Sequence, residues 1–243
     1  MKYNYIDLFH GIGGFALGAY WSGMKFDKHF CSDVEPFAQK LYKLRFPESI
    51  QLGDITKINT DELKQYGENW IMTGGFPCQD ISIAGKGEGI HGKRSGLWFE
   101  YWRIISDLRP RIAIMENVSA LTFRGLDAVL GSLAEIGYDA EWQSLYGCQF
   151  GVQTLRERLW IVAYSAGDRL YEVPVHKRAT FENCWISREY SSTKYKKERE
   201  ISERDFTSKI DGVSKELGQF KGYGNAIVPQ IAKLLFDQVK PLL

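Results

Sequence analysis

Short apolar runs alternate with amphipathic stretches along most of the chain, and this pattern predicts strands that alternate with helices. The predicted strands cover residues 5–9, 26–32, 50–52, 70–73, 111–115, 140–145 and 158–163. The predicted helices begin at residue 15 and cover 36–45, 97–108, 125–136 and 228–239. We therefore expect an α/β fold in which a parallel, doubly wound sheet is covered by helices on both faces.

The apolar periodicity fades between residues 165 and 218, where Lys, Arg, Glu, Ser and Tyr dominate. By itself this stretch is also compatible with a solvated insertion. Periodicity returns in the amphipathic helix near the end of the chain, which we expect to pack back on the sheet. The sequence thus predicts a first domain at 1–164, a small irregular region at 165–218 and a C-terminal segment at 219–243.

The composition excludes several classes of protein. With 243 residues, 44% of them hydrophobic, the chain can build a full core. A net charge of +1 gives no general attraction for a polyanion, so any nucleic-acid contact must come from local clusters. The four cysteines are far apart and form no CxxC pair, which argues against a metal site and against disulfides. Without a signal peptide or a membrane-length apolar run, we expect a cytoplasmic protein with no membrane contact.

Four polar residues with possible chemistry fall at the carboxyl ends of predicted strands, namely Asp33, Asp54, Cys78 and Glu116. Ligands of doubly wound sheets bind at that edge. A glycine-rich turn, Phe9 to Gly14, follows the first strand, and its backbone N–H groups can face the polar end of a ligand. Its glycine spacing fits a nucleoside carrying an amino acid better than a pyrophosphate. Asp33 could then bind ribose hydroxyls, and Asp54 the adenine amino group.

The segment Gly74 to Gln79 is suited to present a thiol at the end of a strand. Its glycines permit a sharp turn and a close approach to a ligand, while Pro77 restricts the backbone. Cys78 would react as the thiolate. The alternative is that Cys78 is a small buried residue without reactivity, as free cysteines commonly are.

Glu116 ends a very apolar strand, so we expect partial desolvation to raise the pKa of its carboxyl group. Such a group can hold a proton for a heteroaromatic nitrogen. Arg156 and Arg158 stand just before another strand, where one could pair with Glu116 and the other could bind a base or phosphate. Taken singly, Glu116 could also be a surface acid, and the arginines an exposed charge run.

Together these segments resemble the C5-cytosine DNA methyltransferase family. The resemblance is carried, in this order, by Asp7–Phe15, Gly53–Ile55, Gly75–Gln79, Glu116–Val118, the Arg156 and Arg158 pair, and Gly224–Ala226. It covers residues 5–163 and 222–235. It implies a Rossmann-like methyltransferase sheet with a small, irregular target-recognition region.

The resemblance also implies a reaction. Cys78 would attack C6 of a flipped cytosine while Glu116 holds a proton at N3, so that C5 takes a methyl group from S-adenosylmethionine. Arg158 would contact the base, Arg156 would support Glu116, and Gln79 would belong to the catalytic set. The residues implied in cofactor binding are Phe9, Gly11, Ile12, Gly13, Gly14, Asp33, Val34, Asp54, Ile55, Pro77, Asn225 and Ala226.

Double-stranded DNA is the partner that the resemblance implies, with the protein acting as a monomer in a restriction–modification setting. A loop over 79–97 would close on the extruded base through Ser82, Lys86, Lys93 and Arg94. The recognition region is short for the family, so we predict a short target sequence. Its candidate contacts are Trp185, Arg188, Tyr190, Tyr195, Lys196 and Arg199.

Two positions depart from the family pattern. Gln153–Leu155 stands where members usually read Pro-Gln, and Val34 occupies a position that is often aromatic. Two alternatives to DNA methylation stay open. One is the same chemistry on RNA, as in tRNA-directed relatives; the other is a catalytically silent module that binds S-adenosylmethionine or DNA.

Overall fold

The computed structural model describes residues 2–77, 96–151, 156–165 and 226–243. Within those residues the strands are β1 (Tyr3–Leu8), β2 (Phe26–Ser32), β3 (Ile50–Gln51), β4 (Trp70–Gly74), β5 (Ile112–Val118), β6 (Tyr138–Tyr146) and β7 (Glu157–Ser165). The α-helices are α1 (Gly14–Trp21), α2 (Pro36–Arg45), α3 (Thr60–Lys64), α4 (Leu97–Leu108), α5 (Leu126–Glu135) and α6 (Pro229–Val239). Short 3-10 turns follow at Ile55–Lys57, Ser119–Phe123, Gly147–Phe150 and Lys240–Leu242.

The seven strands form one sheet in the order β3-β2-β1-β4-β5-β7-β6. Strands β1 to β5 are mutually parallel, but β7 runs antiparallel to both of its neighbours, β5 and β6. The prediction of an all-parallel sheet was therefore wrong at this end. Only the short stretch at 147–156 separates β6 from β7, which suits an antiparallel pair, whereas a parallel pair needs a crossover of a dozen residues or more.

Helices cover both faces of the sheet, as a doubly wound fold requires. On one face α1, α2 and α6 bury an apolar cluster that includes Phe15, Tyr42 and Phe236. On the other face α3, α4 and α5 bury a second cluster around Trp70 and Trp98. Since both faces are covered, the central strands carry apolar side chains on each side, and all six residues of β1 are buried.

Local signals explain the helix boundaries that the sequence predicted. Pro36 occupies the first turn of α2, where its missing N–H is not needed. Helix α4 ends where Arg109 adopts a left-handed conformation (φ 49°), directly before Pro110. The sequence prediction missed α3, which is a single short turn of helix that the side chain of Asn59 caps by accepting from Asp61 N.

The direction of winding reverses between β1 and β4. From β1 the chain goes outward through β2 to β3, and from β4 it goes to β5 on the other side. At such a reversal the loops that follow two neighbouring strands separate and leave a crevice at the carboxyl edge. Here those loops are the turn after β1, beginning at Phe9, and the Gly75–Pro77 segment after β4.

Candidate active site

The glycine turn after β1 is held in an unusual conformation. Phe9 has a φ of 53°, Gly11 of 51° and Gly13 of 87°, all in the left-handed region. A residue with a side chain, such as Phe9, adopts this region at a cost of roughly 1–2 kcal/mol. The turn is braced from β2, because Asp33 Oδ2 accepts a hydrogen bond from Gly11 N at 2.9 Å. The turn and the end of β2 therefore form one unit.

The other residues expected at the cofactor site follow β2 and β3. Asp33 Oδ1 also accepts from Glu35 N at 2.9 Å, and Val34 beside it is 67% exposed. Asp54 Oδ1 accepts from Thr56 N and Thr56 Oγ1, and these bonds lower the pKa of the Asp54 carboxyl group. Ile55 turns its side chain into the core. Two carboxylates and an exposed apolar residue thus lie along the edge next to the glycine turn.

Asp7, near the end of β1, is completely buried and accepts hydrogen bonds from three elements next to the glycine turn. Its carboxylate accepts from Thr73 Oγ1 at 2.8 Å, from Tyr42 O–H at 3.0 Å and from the backbone N–H of Ala16 in α1. Burial raises the pKa of Asp7 to about 7. The start of α1 is therefore already bonded to a carboxylate of the chain itself, which removes that amide from the set available to a ligand.

Two buried histidines extend this polar group. His29 Nε2 lies 2.7 Å from Tyr42 O–H, and burial lowers the pKa of His29 to about 3. His10 packs against the Tyr42 ring at 4.1 Å between centroids, and its Nε2 lies 3.3 Å from Gln51 Oε1. Burial also lowers the pKa of His10. Asp7, His10 and Tyr42 form a connected group that the sequence did not predict; the available signal was polar residues inside otherwise apolar stretches.

These residues suit S-adenosylmethionine in their donor set. The left-handed turn brings its backbone to the crevice, and a Cβ added at Gly11 would meet no atom within 4 Å. Gly13 and Gly14 instead allow close packing against Tyr42, Phe46 and Ile227. Carboxylates of Asp33 and Asp54 are acceptors for hydroxyl and amino groups, and the half-buried Phe9 ring offers an apolar surface. Pro77 and Ala226 are half-buried at the same edge.

Glu116 lies in β5 and is 7% exposed. Its Oε1 lies 3.1 Å from Arg158 Nε and 3.8 Å from Arg156 Nη2. Burial raises the pKa of Glu116 to about 7, although both arginines act in the opposite direction. At neutral pH the carboxyl group is consequently divided between its protonated and ionised forms, as a proton donor and acceptor should be.

The antiparallel direction of β7 is what brings the arginines to Glu116. In the register of β5 and β7, Val118 pairs with Arg158 and Glu116 with Trp160. The start of β7 therefore lies beside the carboxyl end of β5. In a parallel arrangement the start of β7 would lie at the opposite edge of the sheet, and the arginines would be far from the carboxylate.

Asn117 connects β5 to the segment after β4, a role that the sequence did not predict. Its Nδ2 donates to the carbonyl oxygen of Phe76 at 3.3 Å, and its Oδ1 accepts from Val118 N at 2.8 Å. Phe76 is buried against Trp98. The backbone just before Pro77, and before Cys78 in sequence, is thus held from β5.

Several expected site residues lie outside the described part of the chain. These are Cys78, Gln79, Ser82, Lys86, Lys93, Arg94, Gln153–Leu155, Trp185, Arg188, Tyr190, Tyr195, Lys196, Arg199 and Asn225.

Among the described cysteines, Cys31 and Cys148 are buried and unbridged, and burial raises the pKa of Cys31 to about 12. The described residues contain no cluster of His, Cys, Asp or Glu suited to a metal ion. None of the helices in the described ranges is long and apolar enough to cross a membrane.

Comparison with solved structures supports the fold. A DNMT2 of Spodoptera frugiperda superposes with a TM-score of 0.58 at 22% identity, covering 73% of this chain and 53% of that one. A DNA modification methyltransferase encoded in an Escherichia coli prophage gives a TM-score of 0.56 at 23% identity, covering 68% and 47%. At this identity the similarity establishes the Rossmann-like methyltransferase fold.

Sequence comparison goes further. Type II methyltransferase M1.ScrFI of Lactococcus lactis is 38% identical over 167 residues, covering 67% of this chain and 42% of the relative. Type II methyltransferase M.NgoBI of Neisseria gonorrhoeae is 36% identical over 178 residues, covering 70% and 53%. The aligned stretch thus spans about half the length of these relatives. The family model for C-5 cytosine-specific DNA methylases matches residues 3–211, most of the chain. With this match, and with the strand-end geometry around Glu116, the chain belongs to the C-5 cytosine-specific DNA methylase family.

Proposed function

We propose that this protein transfers a methyl group from S-adenosylmethionine to C5 of cytosine in double-stranded DNA. One observation carries the proposal most directly: the buried Glu116 carboxyl group, with a pKa of about 7, lies beside Arg156 and Arg158. It faces Gly75, since a Cβ added there would lie 3.3 Å from Glu116 Oε2. Gly75 stands three residues before Cys78 in sequence.

The chain's own residues have separable tasks in this reaction. Cys78 attacks C6 as the thiolate, and the electron pair of the C5–C6 double bond moves toward N3. Glu116 supplies the proton that N3 takes up, so the ring becomes an enamine with a nucleophilic C5. After methylation a water molecule takes the C5 proton, the Cys78 thiolate leaves C6, and N3 returns its proton to Glu116, which restores the neutral aromatic ring.

The cofactor supplies an electrophilic methyl group on a sulfonium. Phe9, Gly11, Ile12, Gly13, Gly14, Asp33, Val34, Asp54, Ile55, Pro77, Asn225 and Ala226 would hold it at the edge that β1 and β4 share. Arg158 would hold the base, Arg156 would hold Glu116 and the Ala226 backbone in place, and Gln79 would support the Cys78 segment.

Duplex DNA hides C6 within the base stack, so the target base must be extruded, at a cost of a few kcal/mol. We assign this task to the 79–97 segment, with Ser82, Lys86, Lys93 and Arg94. The 165–218 region would read a short target sequence through Trp185, Arg188, Tyr190, Tyr195, Lys196 and Arg199. In this scheme 1–164 is the catalytic domain, 219–243 returns to it, and the protein acts as a monomer within the cell.

The deciding experiment measures tritiated methyl transfer to unmethylated duplex DNA and, in parallel, to tRNA. Bisulfite sequencing of the DNA product then maps the site. We expect transfer to DNA at a short sequence, a covalent adduct with 5-fluorocytosine DNA, and loss of both in Cys78→Ala. Cys148→Ala, which alters a buried thiol elsewhere, serves as the matched control and should retain both.

Three outcomes would contradict the proposal. Methyl transfer to tRNA but not to DNA would assign the chemistry to RNA. An adduct that persists in Cys78→Ala would remove the nucleophile from its assigned role. Binding of S-adenosylmethionine or DNA without transfer to either nucleic acid would indicate a silent binding module. A mapped site with six or more fixed bases would overturn the assignment of a short target alone.

A further inference from the structure

Ile227 lies between two glycines that belong to different loops of the site. A Cβ added at Gly14, the first residue of α1, would lie 2.5 Å from Ile227 O and 2.7 Å from Ile227 Cβ. A Cβ added at Gly75, after β4, would lie 3.6 Å from Ile227 Cδ1. The side chain of Ile227 therefore fills the space that both glycines leave open, one on the cofactor turn and one on the segment that leads to Cys78.

The neighbouring residue, Ala226, is tied to the base-binding side. Arg156 Nη1 donates to Ala226 O at 2.8 Å, while Arg156 Nη2 lies 3.8 Å from Glu116 Oε1. Glu116 Oε2 in turn lies against Gly75. Residues 226 and 227 thus contact the glycine turn, the segment after β4 and, through Arg156, the carboxylate in β5.

Helix α6, which follows this segment, packs closely on α1. Val228 is the N-cap residue of α6, and a Cβ added at Gly18 in α1 would lie 2.5 Å from Ala232 Cβ in α6. Close-packed contacts of this kind transmit a displacement because the interior compresses little. If the glycine turn shifts when the methyl donor binds, Ile227 must therefore shift with it, or the contact between Ile227 and Gly75 must change.

We propose that Ile227 is a positioning residue that couples binding of the methyl donor to binding of the target DNA. The inference rests on the proposed function and extends it by naming the residue through which the two sites communicate. Coupling is reciprocal, so each ligand tightens the other by the same factor, typically about 5- to 150-fold.

The test measures the Kd of S-adenosylhomocysteine by calorimetry, alone and with a saturating short duplex that carries the sequence mapped for the wild-type enzyme. In the wild type the duplex should lower this Kd at least about fivefold. Ile227→Val removes only Cδ1, the atom that faces Gly75, and keeps the Cβ that faces Gly14. We expect this variant to bind S-adenosylhomocysteine alone within about twofold of the wild type, while the effect of the duplex falls below about twofold.

Ile231→Ala is the matched control, because Ile231 is buried in α6, the helix that follows Ile227, among the residues that pack on α1. Ile231→Ala should lower the melting temperature but keep the coupling. Ile227→Leu should recover part of the coupling that Ile227→Val loses. Unchanged coupling in Ile227→Val, or equal loss in Ile231→Ala, would overturn the inference while leaving the proposed function intact. A wild type that neither methylates DNA nor binds S-adenosylhomocysteine would overturn both.

Discussion

Asn117 holds the carbonyl oxygen of Phe76 through its side-chain amide, at 3.3 Å, across the gap between β5 and the segment after β4. Both residues are buried, Asn117 at 3% exposure and Phe76 also at 3%. The bond fixes the backbone two residues before Cys78 in sequence. It therefore links the strand that carries Glu116, the proposed proton donor, to the segment that precedes Cys78, the proposed nucleophile.

Loss of this bond should impair the reaction more than cofactor binding. We expect Asn117→Ala to lower kcat by about 10- to 100-fold, because small misplacements of reacting groups are costly. The Kd of S-adenosylhomocysteine should stay within about twofold of the wild type, since the side chain of Asn117 bonds to Phe76 and Val118. Single-turnover rates and calorimetry measure the two quantities.

Asn59→Ala provides a control with a comparable loss of stability. Asn59 is exposed and caps α3, so its replacement costs about 1 kcal/mol without touching the site. If both variants lost kcat equally, the role of Asn117 would be one of general stability.

The pH dependence of the reaction should report Glu116. Its pKa is raised by burial to about 7, and only the protonated form can donate to N3. The rate that depends on Glu116 should consequently fall as pH rises above about 7. Glu116→Gln should lower kcat/KM by about 10²- to 10⁴-fold and abolish this falling limb.

Glu157→Gln is the control for this prediction. Glu157 lies on β7, three positions before Trp160, the residue that pairs with Glu116. The variant tests whether the loss of any nearby carboxylate lowers the rate and abolishes the falling limb. It should leave both the rate and the falling limb unchanged. Persistence of the limb in Glu116→Gln would assign it to another group.

Asp7 should make the folded protein less stable as pH rises. Its pKa is about 7 when folded and near 3.8 when unfolded, so the folded state binds the proton more tightly. The resulting stability is present below pH 4 and is lost as pH rises to about 7. A difference of about three pH units at 1.4 kcal/mol each sets an upper limit of roughly 4 kcal/mol.

Urea unfolding of Asp7→Asn between pH 4 and 8 measures this effect. The stability of the wild type relative to the variant should fall as pH rises. Glu116, whose raised pKa acts in the same direction, and His10 and His29, whose lowered pKa values act in the opposite direction, titrate in both proteins. Asp61→Asn, on a side chain that is 82% exposed, should change the profile little, because the hydrogen bond from Lys64 lowers the pKa of Asp61 to below this pH range. A profile of Asp7→Asn as steep as that of the wild type would show that Asp7 stays ionised in the core.

Two glycines in helices should respond oppositely to alanine. At Gly14 an added Cβ meets Ile227 O at 2.5 Å, so Gly14→Ala should cost about 1–3 kcal/mol of unfolding free energy and weaken cofactor binding. At Gly131 in α5 no atom lies within 4 Å of the added Cβ. Gly131→Ala should therefore stabilise the protein by about 0.5–1 kcal/mol. Equal effects at the two positions, in urea unfolding, would contradict the close packing of α1 on Ile227.

Much of the fold was readable because local signals and packing agree. The bounds of β2, α2 and α4 were predicted to the residue: α2 begins at Pro36, and α4 stops before Pro110. Periodicity fails for α3, since five residues are too few to show it. The positions of Asp33 and Asp54 after strands followed from the alternation of strands and helices alone. Glu116 was expected just after the fifth strand, but β5 continues to Val118 and includes it.

The direction of β7 could not be read in this way, because periodicity is the same in either direction. The sequence placed Arg156 and Arg158 before a strand, and only the antiparallel register sets them beside Glu116. Likewise, Asp7 appeared as one polar residue in an apolar run. Its pKa is raised because tertiary packing removes it from water, while the hydrogen bonds from Thr73, Tyr42 and the backbone of α1 act in the opposite direction.

By itself the sequence determined which residues are candidates for the chemistry and near the ends of which strands they stand, because those features are local. The tertiary structure decided which of them meet, how far Glu116 is desolvated, and that Ile227 fills the space between Gly14 and Gly75. The physical reason is that contact, burial and pKa depend on side chains brought together from distant parts of the chain, which no local pattern records.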